Sequence, residues 1–550
     1  MKRIITILVM ATAAYAAAAQ TWQDAFLFTE NVYGGTARTV GMGNAVTAIG
    51  GDPGSLVFNP AGSAVASYSQ WSVTPGVTFS TAGATGTILS GDTQAVGFGD
   101  QYQTGYMKGK LPNVSFITSF NTGNRSGIKR YSIGFSYNGT NNYTHRFNAA
   151  GVNQDNSYAA SLASSADGFS KDVMGAEDWY YYGDASRMPA WVDMVGFRSG
   201  MINSVDGSDG TYIALTESMD GQGNFRLAAP VFQKYGRQSS GYKGDFVVNF
   251  GADVSDVFYF GVNLGVVNLR YNQVQYWQES PDNESEFPVI SYSDGSSARF
   301  SNLLMQQSYQ ATGSGLYVKA GVLWRPTPSL RLAAAVQTPS TLHITERYGY
   351  KGQVTLSGKA SPSASSPEDE WSYQLRMPFR MNAGVAYSIG NAAVVSADYE
   401  FVNYGAARFA TSSSGDDSFV ESSFSGVNDD IRDFLTVSHM LRVGTEVKVH
   451  PAVALRAGYN LTTGAETGFA SLLRHGFSLG AGWSSSGSFY LDAAVRLRTV
   501  PAEYIIPYYY YEAPDPSRFY EKYVREDVIT PEIEVKSMMI DGLLTLGWRF

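Results

Sequence analysis

The sequence predicts an all-β fold: a transmembrane antiparallel β-barrel of about fourteen strands, its lumen plugged by an N-terminal hatch. Three observations carry this. Segment after segment alternates apolar and polar residues with period two. The connections between those segments alternate short and long. A glycine-rich, irregular stretch precedes the first strand. The composition agrees: 58 Gly, 36 Tyr and 30 Phe are heavy for a soluble domain. Cysteine is absent, so disulfides do not hold the fold, and its core or barrel closure must do so. A net charge of -9 speaks against a nucleic-acid partner, which favours a basic surface.

Residues 1–19 read as a secretory signal peptide. Lys2 and Arg3 form a basic start, Ile4 to Ala16 a short apolar core, and Ala17 to Ala19 a small-residue cleavage site before Gln20. No cysteine follows, so no lipid anchor is expected there. No later apolar run reaches the roughly 18 residues that a membrane-spanning helix needs, whereas alternating barrel strands escape that criterion.

Residues 20–67 are the expected hatch. The stretch is too glycine-rich and irregular for a strand. Its glycines permit tight turns and close packing, and Pro53 and Pro60 fix corners. A barrel of about fourteen strands is wide enough to need such a plug.

Residues 68–550 are the expected barrel. Phe246, Val248, Phe250, Ala252 and Val254 share one face, with Asp245, Val247, Asn249, Gly251 and Asp253 on the other. Ser255 to Val257 then turn the chain into Phe258, Phe260, Val262, Leu264 and Val266, which is a hairpin. The same reading places strands at 70–80, 113–121, 129–147, 243–254, 258–270, 313–325, 330–349, 371–389, 392–405, 438–449, 452–462, 473–484, 488–503 and 538–550. Their polar faces carry Lys319, Asp398, Glu400, Arg442, Glu446, Arg456, Asp492 and Arg496. Such faces look at water in a soluble sandwich and line the lumen in a membrane barrel. Loop lengths decide between them. Long connections (81–112, 148–242, 271–312, 350–370, 406–437, 463–472, 504–537) alternate with short ones, which is the membrane-barrel sorting. The last strand, "GLLTLGWRF", puts Leu544, Leu546, Trp548 and Phe550 on one face. A terminal aromatic there resembles a barrel-assembly signal.

The 148–242 connection is rich in aromatics, and Tyr158, Leu162 and Phe169 fit a short amphipathic helix. Two readings stand: the aromatics pack on one another to order the loop, or they present an apolar landing surface.

The stretch "TARTVGMGNAVTAIGGDPGSLVFNPAGSA" resembles the hatch of FadL-type outer-membrane transport proteins. Ala37-Arg38, Gly41 to Ala45, Asp52-Pro53 and Asn59-Pro60-Ala61 carry the resemblance. "GSGLYVKAGVLWRPTPSLRLAAAVQTPS" is similar to a hairpin of the same family, and "LRVGTEVKVHPAVALRAGYN" and "LTLGWRF" to its last strands. The resemblance implies a fourteen-stranded barrel in the Gram-negative outer membrane that takes up hydrophobic compounds such as long-chain fatty acids. It implies ligand capture at an outer groove, an inner pocket touched by the N-terminus, and sideways exit at a kink in the third strand. On that basis Trp22, Phe26, Leu27 and Phe28 are expected pocket contacts, with hatch packing as the alternative. Asn138-Gly139 is the expected kink, with a plain turn as the alternative. Asn59-Pro60-Ala61 is a lock or part of the gate. The expected partners are an apolar small molecule, outer-membrane lipid and lipopolysaccharide, and the barrel-assembly machinery. No cofactor, metal or catalysis is expected: the five histidines show no metal spacing and no G-x-S-x-G occurs. The competing reading is a barrel that anchors exported proteins through the loops at 148–242 and 504–537.

Overall fold

The computed structural model describes residues 20–86, 97–181, 188–205, 208–221, 223–291, 295–357, 362–412, 418–467, 473–485, 488–508 and 531–550. The expected signal peptide and most of the 504–537 connection lie outside them. Fourteen antiparallel staves close into one barrel. They are β1 (Gln70–Gly86), β2 (Tyr102–Asn121), β3 (Ile128–Asn142, continued by His145–Asn153), β4 (Val231–Val254), β5 (Phe258–Pro281), β6 (Ser297–Trp324) and β7 (Leu330–Gln337, continued by Ser340–Ser357). Then come β8 (Asp369–Met377, continued by Arg380–Ile389), β9 (Ala393–Asn403, continued by Arg408–Thr411), β10 (Val437–His450), β11 (Val453–Thr462), β12 (Arg474–Ser484), β13 (Phe489–Ile505) and β14 (Ile533–Arg549). Closure comes from β1 against β14, with Trp71 opposite Trp548 and Val73 opposite Leu546.

The two faces of each stave have the chemistry their alternation predicts. Phe250 and Leu264 point out and are 57% and 52% exposed, while Asp245, Asn249 and Asp253 point in and are buried. Apolar outward faces form the lipid-facing band. Several staves run further than their alternation indicates. The segments 271–281 and 297–312, read above as loop, are strand, as are 102–112, 148–153 and 231–242. These extensions rise on the long-loop side. Their outward positions carry Gln, Asn, Ser and Tyr, so the period-two signal fades while the ladder continues. The Gln310 amide donates to Asn272 Oδ1 across β5 and β6 at 2.8 Å.

The connection 154–230 folds over the mouth. It holds α3 (Tyr158–Ala166) and α4 (Trp191–Arg198), after α1 (Trp22–Thr29) and α2 (Ala37–Gly41) of the hatch. Its aromatics pack largely inward: Tyr158 stacks on Trp277 at 5.2 Å and Trp191 meets Trp179 edge-on at 5.7 Å. The Glu279 carboxylate accepts the Tyr158 N–H at 2.6 Å, holding the start of α3 to the wall. A later helix, α5 (Ser418–Phe434), lies above the hatch.

The hatch fills the lumen below. Thr21 and Asp24 form a capping box that starts α1. Asp52 accepts from Gly54 N–H and from the Thr36 hydroxyl at 2.9 and 2.8 Å, and Pro53 opens a 3₁₀ turn after it. Inward ion pairs fix the plug to the wall. Arg38 grips Glu446 with two bonds of 2.8 and 2.9 Å, and Arg456 bridges Glu446 and Asp492 at 2.6 Å each. Such forked pairs set orientation as well as charge. Several wall glycines are explained at this contact. Side chains on inward Gly261 and Gly321 would meet Pro60 C and Asn59 Oδ1 at 2.3 and 2.0 Å, and on Gly444 and Gly458 would meet Met42 O and Gly43 N at 2.2 and 2.0 Å. The hatch backbone rests directly on the barrel wall.

Candidate functional site: a slot in the barrel wall

The ladder between β2 and β3 runs from Asn121–Arg130 to Asn113–Asn138 and ends there. Above it β2 pairs only with β1, and β3 only with β4. An isolated bridge, Asp100 to Ala150, rejoins the two sides near the mouth. Backbone irregularity opens both edges at the same height. On β2, the register against β1 shifts between Thr74 and Gly76, where Pro75 faces Leu111 and Pro112. Pro112 has no N–H to give to a ladder. On β3, the register against β4 shifts between Gly139 and Asn141, which leaves Thr140 as the extra residue of a bulge. Asn138-Gly139 therefore lies within a strand at a bulge, and is not a turn.

The hatch supplies what β2 withholds. Val32 N–H donates to Thr140 O at 2.6 Å and Gly34 N–H to Gly139 O at 2.7 Å. Gly34 sits close enough that a Cβ would lie 3.0 Å from Pro112 Cβ and 3.1 Å from Gly139 O. The segment leading in is held by its carbonyls. The Lys243 ammonium donates to Phe28 O and Glu30 O at 2.8 and 2.6 Å, and the Asn141 amide to Glu30 O at 3.3 Å.

A cavity of about 1130 Å³ occupies this slot. Outward-facing Trp71, Phe116, Phe135 and Phe246 line it, and so do Val32 and Gly34 of the hatch and inward Arg496 and Arg498. Lining from both faces means that it cuts into the wall, with Val32 and Gly34 of the hatch lying across it. Its outer part is apolar. Its inner part is cationic: Lys110, Arg496 and Arg498 all converge on Asp541, the two arginines at 2.8 and 3.2 Å. Exposed Lys108 lies on the same side of β2. One carboxylate among these cations leaves surplus positive charge at the inner end.

Trp22, Phe26, Leu27 and Phe28 sit beside the slot and do not line it. They belong to an inner cluster in which Phe28 meets Tyr271 edge-on at 5.9 Å, Phe26 meets Tyr404 at 5.1 Å, and Trp22 stacks on Phe434 of α5 at 5.6 Å. Four residues after Phe28, the chain reaches Val32 at the slot. Asn59-Pro60-Ala61 lies elsewhere on the wall. The Asn59 side chain caps the 3₁₀ turn by accepting from Ala61 N–H at 3.1 Å. Its amide donates to Thr47 O at 3.0 Å and Val322 O at 3.2 Å. This corner joins two hatch segments to β6. Sequence reasoning missed Val32, Gly34, Pro112 and Lys110, and had Arg496 only as one lumen-facing charge among many. The signal that marks Pro112 was present: a proline beside two lysines in "KGKLPN", within what proves to be a strand.

No protein-family model matches the chain and no curated protein sequence is similar to it. Solved structures are similar in outline. A Pseudomonas aeruginosa FadL homologue is 12% identical with a TM-score of 0.49, covering 94% of this chain and 99% of that one. The P. putida toluene transporter TodX is 11% identical with a TM-score of 0.47, covering 94% and 99%. The Ralstonia pickettii toluene transporter TbuX is 13% identical with a TM-score of 0.43, covering 94% and 98%. None reaches a TM-score of one half, and the fold and the slot stand on this chain's own pairings and contacts.

Proposed function

We propose that this protein is an outer-membrane channel for passive uptake of hydrophobic small molecules, with long-chain fatty acids as the substrate type and sideways exit gated by the hatch. The observation that carries the reading is the cavity in the gap between β2 and β3, apolar on the lipid side, cationic within and crossed by the hatch. A molecule of this kind has an apolar tail and one anionic head. Tail burial contributes roughly 0.8 kcal/mol per methylene. Arg496, Arg498 and Lys110 suit the head, since charge-assisted bonds to a carboxylate are the strong ones. The inner cluster around Trp22, Phe26, Leu27 and Phe28 is the holding pocket in this reading. A ligand that displaces those rings pulls on Glu30 to Gly34, frees the two bonds to β3, and opens a path into the lipid. The tail then passes from protein to membrane without crossing water. The Asn59-Pro60-Ala61 corner locks the remainder of the plug in place.

The test is native mass spectrometry of the detergent-extracted protein with a fatty-acid panel, alongside uptake of a labelled fatty acid by cells that depend on this chain. Retained ligand, weakened by Trp22→Ala and by Arg496→Gln, supports the reading. No ligand at any concentration, together with a co-purifying exported protein, replaces it with the anchoring role.

A further inference from the structure

Above the lipid-facing band, on one sector of the wall, the outward surface carries strong positive charge. On β5 the continuous apolar outward row gives way after Val266 to Asn268, Arg270 and Asn272, with a single apolar residue, Val274, above them. On β8 it ends at Phe379, and Arg376 comes next above it. Arg347 and Lys351 occupy the outward face of β7, and Lys234 that of β4. All five are exposed. The registers place them on neighbouring staves: Arg270 faces Thr312 of β6, Thr312 faces Thr345 of β7, and Thr345 faces Ser372 of β8. Among the described outward strand residues of this sector there is one carboxylate, Glu370, and it pairs with Arg347 at 2.7 Å. Glu279 and Glu346 of the same staves point inward and are buried, while exposed Asp282, Glu284, Glu286 and Glu368 sit in the connections beyond the strands. A chain of net charge -9 thus turns cations outward on this sector, Arg270 and Arg376 at the edge of the lipid-facing band and Arg347, Lys351 and Lys234 higher on the same group of staves.

We infer that this sector binds the phosphorylated head of a multi-acyl glycolipid in the outer leaflet, with the acyl chains lying against Leu264, Val266 and Leu316 below. The inference rests on the outer-membrane reading above. Charge complementarity selects the phosphate, and the adjoining apolar band selects a lipid over a free anion. Thr312, Thr345 and Ser372 add hydroxyl groups between the cations. An anionic surface attracts each nearby Lys or Arg by an amount equal to about a fivefold change in affinity.

The experiment is native mass spectrometry of the full chain in detergent with bisphosphorylated lipid A, and with the same lipid after phosphate removal. The wild type is expected to retain lipid A in a salt-sensitive manner and to bind the dephosphorylated lipid at least tenfold more weakly. The variant Arg270→Ser/Lys351→Ser/Arg376→Ser is expected to lose at least tenfold in affinity, with heat-dependent gel migration confirming an intact barrel. Glu370→Gln, which leaves the barrel interior untouched, is expected to strengthen binding. Equal retention by the triple variant, or equal binding of the two lipids, overturns the inference. Fatty-acid uptake is read separately, so lost lipid A binding with intact uptake counts against this surface alone. Lost uptake with lipid A still bound counts against the channel alone.

Discussion

A covalent staple across the slot gives the sharpest prediction. The chain has no cysteine, so a pair introduced at Gly34 and Pro112 has no competing partner. The Cβ positions lie 3.0 Å apart, against roughly 3.5–4.5 Å across a disulfide, so closing the bond needs only a small shift of the hatch away from the wall. Opening the unmodified slot breaks the Val32–Thr140 and Gly34–Gly139 bonds. At about 1 kcal/mol net per bond, opening costs about 2 kcal/mol, which leaves an open fraction of about 3% in the absence of ligand. The staple removes that fraction. Oxidised Gly34→Cys/Pro112→Cys protein is expected to lose fatty-acid uptake by at least twentyfold in cells or proteoliposomes and to regain it with reductant, while each single variant stays near wild type. Mass spectrometry after proteolysis verifies that the bond has formed. Undiminished uptake with the bond in place refutes exit through this slot.

Three further outcomes follow from the hatch contacts. Gly321→Ala places a Cβ about where Asn59 Oδ1 now sits; overpacking of this kind costs about 1–3 kcal/mol, and raised ion conductance in planar bilayers is the expected sign of a displaced plug. Asn59→Ala removes a cap and two bonds to carbonyls, about 2–3 kcal/mol in all, and should make the hatch more sensitive to added protease while the barrel stays folded. Burial holds the Asp24 carboxyl above the ordinary carboxylate range. A carboxyl raised on folding favours the seated hatch when protonated, and that stabilisation fades as pH climbs from the ordinary value through the raised one. Protease release of the N-terminal segment should therefore be faster at pH 7 than near pH 4, and Asp24→Asn should flatten the difference.

The barrel was largely legible in the chain because lipid and lumen impose opposite chemistries on alternate residues. Phe246 to Val254 and Phe258 to Val266 show this in unbroken form, and the pairing of Phe258 with Val254 and of Val262 with Phe250 follows directly. The strand extensions were hidden for the converse reason. Gln273, Gln275 and Gln307 sit in ladders that no hydrophobic period announces. At the slot, the sequence left Asn138-Gly139 open between a bend and a turn, because an interior glycine suits either, and the register shift between Gly139 and Asn141 makes it a bulge within a strand. Val32 and Gly34 were not readable. Their importance comes from backbone N–H groups meeting carbonyls more than a hundred residues away, and backbone donors carry no side-chain signature. Of the charges around Asp541, Arg496 was visible as a polar strand position and Lys110 was hidden in a stretch read as loop, and only the closure of β14 onto β1, with β2 alongside, brings the two together.

Barrel staves are neighbours of the membrane as well as of each other, and the open edges of β2 and β3 give this one a front. On the proposed exit route, Phe116, Phe135 and Phe246 need fluid acyl chains beside them. In a crowded membrane, another protein docked on that sector would act as a stopper. On that route, close packing with further copies, or with any neighbour, is confined to the far side, around β9 to β11, so the proposed direction of emptying also sets how the barrel can be tiled.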